Sequence, residues 1–141
     1  MTLKFTINSV NELSCVAEKI IELANKQSIF LFNAPMGAGK TTLISKIGEL
    51  MEIEEQVSSP TYAIYNEYFS EKYGSIFHFD CYRLKDEYEA LDSGIEEILD
   101  SGNICLIEWP EKIEKLLPNN YVEIKIEQNN QQRLISIHYD T

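Results

Sequence analysis

The chain has 141 residues, a formal net charge of −11 and a hydrophobic content of 44%. This length fits one ordinary domain over residues 1–141, and this apolar content excludes an intrinsically disordered chain. No apolar run approaches the roughly 20 residues that a membrane helix needs, and the first residues do not resemble a signal peptide. The three cysteines, Cys15, Cys81 and Cys105, are scattered, which excludes a disulfide framework and fits a reducing cytoplasm.

The charge is strongly acidic, with 23 acidic and 12 basic residues, of which only Arg83 and Arg133 are arginine. Such a surface binds nucleic acid poorly, because phosphate contacts need clustered lysine and arginine. We therefore expect no direct binding to DNA. An acidic surface suits a basic protein partner, although solubility alone is the simplest reason for the charge.

The hydrophobic pattern alternates between helical and strand periods along the chain. Residues 9–12, Ser-Val-Asn-Glu, read as a capping box that opens an amphipathic helix over about 10–25. The elements expected after it are a strand at 28–32, a helix that follows a glycine-rich turn, strands at 61–69 and 75–82, helical spacing over 84–99 that breaks at 93–94, a strand at 104–108, a short helix from Pro110, and a closing hairpin of 121–127 with 133–139. This order predicts an α/β fold with a mixed sheet.

The strongest motif is Ala-Pro-Met-Gly-Ala-Gly-Lys-Thr at 34–41, which lies between a predicted strand and a predicted helix. This is the context of a phosphate-binding P-loop. Gly37 and Gly39 let the backbone turn so that successive N–H groups, from Gly37 to Thr42, point at one phosphate. Lys40 can reach the β- and γ-phosphates, and the Thr41 hydroxyl can ligate Mg²⁺. Alanine replaces the usual first glycine at position 34, a change that we expect to be harmless because the next residue is proline.

Two acidic residues end predicted strands and could organise a metal ion and a water molecule. Asp80 ends one strand, and Glu108 follows four apolar residues in another. Ligands of open α/β sheets lie beyond the carboxyl ends of the strands, so both are candidates. Asp80 could instead be a turn residue, and Glu108 could be an acid at a helix N-terminus. For His78 and Trp109, a structural role is the simpler expectation.

Four blocks together resemble the TsaE (YjeE) family of small P-loop ATPases in bacterial tRNA threonylcarbamoyladenosine synthesis. They are Gly-Ala-Gly-Lys-Thr-Thr at 37–42, Ser-Pro-Thr-Tyr at 59–62, His-Phe-Asp-Cys-Tyr-Arg-Leu at 78–84 and Glu-Trp-Pro at 108–110. The resemblance covers nearly the whole chain, and the second and third blocks are more specific than the P-loop. It implies a three-layer P-loop NTPase fold with a mixed parallel and antiparallel sheet flanked by helices.

The resemblance also implies a set of site residues. ATP would be the nucleotide, with Thr41 and Glu108 as Mg²⁺ ligands and Asp80 as an acid that orients water. Residues 59–62 look like a switch over the γ-phosphate. The residues implied for catalysis are Lys40, Thr61, Asp80 and Glu108, and those implied for nucleotide binding are Gly37, Ala38, Gly39, Lys40, Thr41, Thr42 and Arg133, the last near the adenine.

The family resemblance further implies two protein partners, TsaB and TsaD. TsaD modifies adenosine 37 of tRNAs that read codons beginning with A, and ATP hydrolysis by the TsaE subunit resets the complex between turnovers. The tRNA would then meet this chain only through the complex. With no evident arginine finger, which contributes about 10³–10⁵ in rate, we expect slow hydrolysis alone and stimulation by partners.

Three other functions compete with this interpretation. A small-molecule kinase would need arginines around the acceptor, and this chain has two. A guanine-specific GTPase would carry Asn-Lys-x-Asp after the P-loop, whereas the Asn-Lys at 25–26 precedes the loop and lacks the Asp. A nucleotide-gated adaptor without hydrolysis stays open, because both acids could serve only to hold Mg²⁺.

Overall fold

The computed structural model describes residues 1–35, 37–58, 60 and 64–140. These residues form a mixed sheet with helices on both faces, as the sequence predicts, and the sheet has seven strands, one more than predicted. The strands are β1 (Thr2–Ile7), β2 (Ile29–Asn33), β3 (Tyr65–Ser70), β4 (Gly74–Asp80), β5 (Ile104–Glu108), β6 (Val122–Asn129) and β7 (Gln132–His138). The helices are α1 (Leu13–Leu23), α2 (Lys40–Leu50), α3 (Glu87–Asp92) and α4 (Ile95–Leu99), with 3₁₀ segments at Val10–Glu12 and Pro110–Leu116.

The centre of the sheet is parallel and its edges are antiparallel. The strand order is β1-β7-β6-β2-β5-β4-β3, in which β6, β2, β5 and β4 run parallel to one another. Every residue of β5 is buried, and so are the first four residues of β2. Strands with such continuous apolar runs need cover on both faces of the sheet. The carboxyl ends of β2, β4 and β5 therefore meet at one edge, where a ligand can reach them.

Two hydrophobic clusters supply that cover and make the fold three-layered. Side chains of α1 and α2, among them Ile20 and Leu43, pack on one face of the sheet against Phe30 and Phe32. On the other face, Phe77 and Phe79 of β4 pack with α3, α4 and the 3₁₀ segment Pro110–Leu116. The alternation along β4 thus separates the phenylalanines from His78 and Asp80, as the sequence predicts.

Strand β1 is the main element that the sequence analysis did not predict. It pairs antiparallel with β7 at the edge of the sheet, from Thr2 opposite His138 to Ile7 opposite Arg133. The signal was present, since the apolar residues Leu3, Phe5 and Ile7 alternate with polar ones. The alternation alone does not identify a strand, because its pairing partner β7 lies near the other end of the sequence.

The predicted capping box is wrong in its detail. Ser9 makes no side-chain capping bond, and the chain enters α1 through a 3₁₀ turn instead of a continuous helix over 10–25. The Glu12 carboxylate does reach back, but it accepts a hydrogen bond of 2.8 Å from the backbone N–H of Asn8. The predicted break in residues 84–99 is confirmed, because Gly94 adopts φ +82° between α3 and α4.

Candidate nucleotide site

The phosphate loop joins β2 to α2 and depends on two glycines with left-handed backbone. Gly37 has φ +82° and Gly39 has φ +101°, conformations that residues with a β-carbon rarely adopt. The N–H of Ala38 donates to the carbonyl of Pro35 at 3.2 Å, which closes the turn. Gly39 is the N-cap of α2 and has no side chain to cap the helix. The first N–H groups of α2 are therefore left for an anion at the positive end of the helix.

The structure brings nearly all the predicted site residues together around one pocket of about 380 Å³. Two are exceptions. Ala38 belongs to the loop, but its side chain is buried in the core and does not line the pocket. Thr61 lies outside the described residues together with Ser59 and Tyr62. The predicted residues that line the pocket are Gly37, Gly39, Lys40, Thr41, Thr42, Asp80, Glu108 and Arg133.

Lys40 presents a buried charge to this pocket. Only 7% of the residue is exposed, and Nζ has no hydrogen-bond acceptor among the described residues. Nζ lies 3.7 Å from the centroid of the Trp109 ring, a cation–π contact. Burial lowers the pKa of Lys40 below 10.5, although the negative charges of Glu108, Asp80 and Glu111 act in the opposite direction. An ammonium group that lacks acceptors in this way is poised for an anionic ligand.

The lowered pKa of Lys40 predicts an alkaline limit to anion binding. The unliganded protein loses the Lys40 proton below pH 10.5, so affinity for a nucleoside triphosphate should fall as the pH rises through this lowered pKa. The folded state binds fewer protons than the unfolded state between that pKa and 10.5. The stability of the unliganded protein should therefore rise over the same pH range in which affinity falls. Titration calorimetry at increasing pH measures the affinity, and a flat profile up to pH 10.5 would contradict the assignment.

Asp80 and Glu108 lie side by side at the end of the parallel strands. They are direct register partners on β4 and β5. Asp80 is half-buried and accepts a hydrogen bond of 3.1 Å from the backbone N–H of Tyr82 at Oδ1. The backbone N–H of Asp80 donates to the carbonyl of Ile64 at 2.9 Å, directly after the segment that contains Thr61. The two acids thus line the same pocket but differ in solvent contact, because Asp80 is half-buried whereas Glu108 is only 3% exposed.

Sequence reasoning gave His78 and Trp109 structural roles, and the structure places both at the site. His78 Nε2 lies 2.7 Å from Glu108 Oε2, and the imidazole is fully buried. The Trp109 ring packs against the core, but it also lines the pocket. It contacts Nζ of Lys40 and the ring of Tyr82, whose centroid lies 5.0 Å from its own. Their positions at the carboxyl ends of strands, beside Asp80 and Glu108, were the signal that could have identified them.

Arg133 braces the phosphate loop from β7. Its Nε donates a hydrogen bond of 2.6 Å to the carbonyl of Ala38. A β-carbon added at Gly39 would lie 3.2 Å from that Nε atom, which is closer than ordinary van der Waals contact. Gly39 is therefore required twice, for its left-handed backbone and for the approach of Arg133.

Replacing Gly39 by alanine should weaken nucleotide binding in addition to destabilising the fold. Alanine there strains the backbone by about 1–2 kcal/mol and also displaces Arg133 from the loop. Gly102→Ala is a matched control, because Gly102 has φ +84° but no atom within 4 Å of an added β-carbon. Thermal unfolding should show similar destabilisation of both variants, whereas calorimetry should show weakened nucleotide binding only for Gly39→Ala. Equal affinities in the two variants would argue against the bracing role.

The pocket offers oxygen donors that suit a metal ion bound together with a ligand. Among the described residues, no group of three or more His, Cys, Asp or Glu side chains is arranged to bind a metal by itself. Thr41, Asp80 and Glu108 nevertheless share the pocket and offer a hydroxyl and two carboxylates. Mg²⁺ bound beside a nucleotide needs only one or two protein oxygens, because phosphate and water complete its shell. The donor set therefore fits a Mg²⁺ ion carried with a nucleotide.

In the described part of the chain, no helix has the length and apolarity to cross a membrane.

Comparisons with known proteins agree with this geometry. The family model described as "Threonylcarbamoyl adenosine biosynthesis protein TsaE" matches residues 7–135. The tRNA threonylcarbamoyladenosine biosynthesis protein TsaE of Rickettsia conorii is 36% identical over 134 residues, which cover 94% of this chain and 75% of that protein. The protein of the same name from Bacillus subtilis is 32% identical over 124 residues, covering 88% and 77%.

A solved structure shows the same fold. The crystal structure of Bacillus subtilis YdiB superposes with a TM-score of 0.74 at 24% identity, over 99% of this chain and 86% of that one. The family model spans most of the chain, and the relatives exceed 30% identity over most of their length. The chain therefore belongs to the TsaE family of threonylcarbamoyl adenosine biosynthesis proteins.

Proposed function

We propose that this chain is a Mg²⁺-dependent ATPase that acts in forming threonylcarbamoyladenosine at position 37 of tRNA. The observation that carries the proposal is the Lys40 ammonium, buried without an acceptor in the pocket that two in-register carboxylates, Asp80 and Glu108, also line. A site with a cation for phosphates and acids for metal and water fits hydrolysis of a nucleoside triphosphate. Membership of the TsaE family supports the link to tRNA modification.

Each residue has a role in this mechanism. The loop N–H groups and Lys40 hold the phosphates and stabilise charge that develops on the leaving group. Thr41 and Glu108 would hold Mg²⁺, which supplies further charge neutralisation when bound. Asp80 accepts a hydrogen bond from the attacking water and orients it in line with the γ-phosphate. Thr61 stays a prediction from the family resemblance, because it lies outside the described residues.

The described part of the chain offers one arginine at the loop, and its hydrogen bond within the chain supports the need for partners. Arg133 is the arginine that lines the pocket, and its Nε is engaged by the Ala38 carbonyl. We propose that TsaB and TsaD dock on the acidic chain and raise its slow ATPase rate, and that hydrolysis resets their complex after tRNA modification. The net charge of −11 suits a basic protein surface and keeps direct contact with tRNA weak. We place this activity in a single cytoplasmic domain over residues 1–141.

The test is ATP hydrolysis by the purified chain, alone and with TsaB, TsaD and tRNA. The proposal predicts weak hydrolysis alone, a clear rise in the complex, and preference for ATP over GTP. Turnover of the isolated chain as fast as that of the complex would contradict partner stimulation. Tight ATP binding without hydrolysis in either setting would make this a nucleotide-gated adaptor, and transfer to an acceptor faster than to water would make it a small-molecule kinase.

A further inference from the structure

The imidazole of His78 is the most deeply buried polar side chain beside the pocket. It is 0% exposed, and its Nε2 lies 2.7 Å from Oε2 of Glu108. Its other ring nitrogen, Nδ1, is buried and has no hydrogen-bond partner among the described residues. Burying an imidazole whose one hydrogen bond within the described residues goes to a carboxylate is costly, so this contact calls for a specific reason.

The register of the sheet explains how His78 reaches Glu108. On β4, His78 lies opposite Leu106, two register pairs before Asp80 and Glu108. His78 and Asp80 therefore share a face of the sheet, and Glu108 lies on that face of the next strand. The contact is diagonal, within the reach of a long side chain. Glu108 thus lies between a fully buried histidine and the nucleotide pocket that it lines.

The hydrogen-bond partners fix how the two groups are arranged. An ionised carboxylate only accepts hydrogen bonds. With Glu108 ionised, Nε2 of His78 therefore carries a hydrogen atom and donates a hydrogen bond to Oε2 of Glu108. In the neutral imidazole with this tautomer, Nδ1 is the unprotonated nitrogen, which is less costly to bury without a partner than an N–H group. Oε1 of Glu108 is left as the oxygen available to the pocket.

We propose that His78 is a positioning residue that holds Oε2 of Glu108 and so presents Oε1 to the metal ion of the nucleotide. The proposal rests on the proposed function, because it takes Glu108 as a metal ligand. His78 does not touch the nucleotide or the reacting atoms. It acts as the outer-shell partners of other metal sites do, where such a bond orients a ligating group and its loss lowers metal affinity about 10–100-fold.

Three variants of His78 separate positioning from packing. His78→Gln carries an amide N–H₂ at about the place of Nε2, whereas His78→Asn carries one at about the place of Nδ1, too far from Glu108. His78→Leu removes the donor and keeps an apolar filling. Two affinities are measured: that of Mn²⁺ for the protein with ADP, by the electron paramagnetic resonance signal of free Mn²⁺, and that of ADP without metal, by calorimetry.

The proposal predicts that His78→Leu and His78→Asn lower Mn²⁺ affinity about tenfold or more while metal-free ADP affinity changes less than about twofold. His78→Gln should restore most of the Mn²⁺ affinity. If His78→Leu does not fold, the comparison of His78→Asn with His78→Gln decides the question. Equal Mn²⁺ affinity in those two variants, or equal losses with and without metal, would overturn the positioning role.

Glu108→Gln distinguishes failure of this inference from failure of the proposed function. If Glu108→Gln weakens Mn²⁺ binding and the His78 variants do not, Glu108 is a ligand that needs no positioning, and only the inference fails. If Glu108→Gln leaves Mn²⁺ affinity unchanged, the metal role of Glu108 fails first, and the inference fails with it.

Discussion

Lys40→Met should reduce affinity for a nucleoside triphosphate by about 10–100-fold or more, since hydrogen bonds to charged groups contribute about 1.5–3 kcal/mol and each 1.4 kcal/mol is tenfold. The reason is the state of Nζ in the unliganded protein, where it is buried without an acceptor. The phosphate oxygens of a nucleotide would supply the hydrogen-bond acceptors that Nζ lacks in the described part of the unliganded protein. Methionine keeps the length and apolar stem of lysine, so the loss reports the charge.

The same substitution should leave the unliganded fold nearly as stable as before. Lys40→Met removes a buried charge whose pKa is lowered by burial. It loses the contact with the Trp109 ring and the attraction of Glu108, Asp80 and Glu111, which burial outweighs. Lys46→Met is a matched control on the same helix, because Lys46 is half-buried and its Nζ lies 3.6 Å from Glu49 Oε1, away from the pocket. Calorimetry and thermal unfolding measure both variants. Similar nucleotide affinity in the two variants would contradict the role of Lys40 in binding phosphate. A marked fall in the stability of Lys40→Met would contradict the inference that Lys40 does not stabilise the unliganded fold.

Neutralising Asp80 and neutralising Glu108 should have different effects on kcat and on nucleotide affinity. Asp80→Asn should lower kcat by about 10²–10⁴-fold while nucleotide affinity stays within a few-fold, because a residue that orients water acts mainly in the transition state. Glu108→Gln should weaken the Mg²⁺-dependent part of nucleotide affinity as well as kcat, since it removes a negative ligand. The difference follows from their places, Asp80 half-buried and Glu108 held by His78.

Steady-state hydrolysis and nucleotide binding with and without Mg²⁺ measure these effects. Asp100→Asn is the control, because Asp100 is exposed after α4 and does not line the pocket. Hydrolysis unchanged in Asp80→Asn would remove its catalytic role and favour the nucleotide-gated adaptor. Identical profiles for Asp80→Asn and Glu108→Gln would contradict the division of roles.

The sequence predicts the central parallel strands and the phosphate loop well because the signals there are local. Four apolar residues before Glu108 indicate a strand buried on both faces, and Gly37 and Gly39 indicate the turn between β2 and α2. Strand β1 escaped because its stability comes from pairing with β7, which lies more than a hundred residues away along the chain. The capping box failed because the 3₁₀ turn before α1 replaced the side-chain bond of Ser9.

The site was predictable as a set of residues, but not as a set of contacts. Spacing indicates that Asp80 and Glu108 each end a strand, yet their direct pairing depends on strand order, which no local pattern specifies. The contact of His78 with Glu108 and the position of Lys40 over Trp109 likewise join residues that are far apart in the chain. Such contacts emerge only when the sheet is assembled.

The most direct test of the account is the number of modified tRNA molecules formed per complex of this chain with TsaB and TsaD, when ATP and the threonylcarbamoyl donor are in excess. The wild-type chain should support many turnovers with ATP consumed in step. Asp80→Asn, which should bind ATP without hydrolysing it, should stop the reaction after about one modified tRNA per complex. Continued turnover with Asp80→Asn at the wild-type rate, with no ATP consumed, would contradict the claim that hydrolysis in this pocket resets the complex.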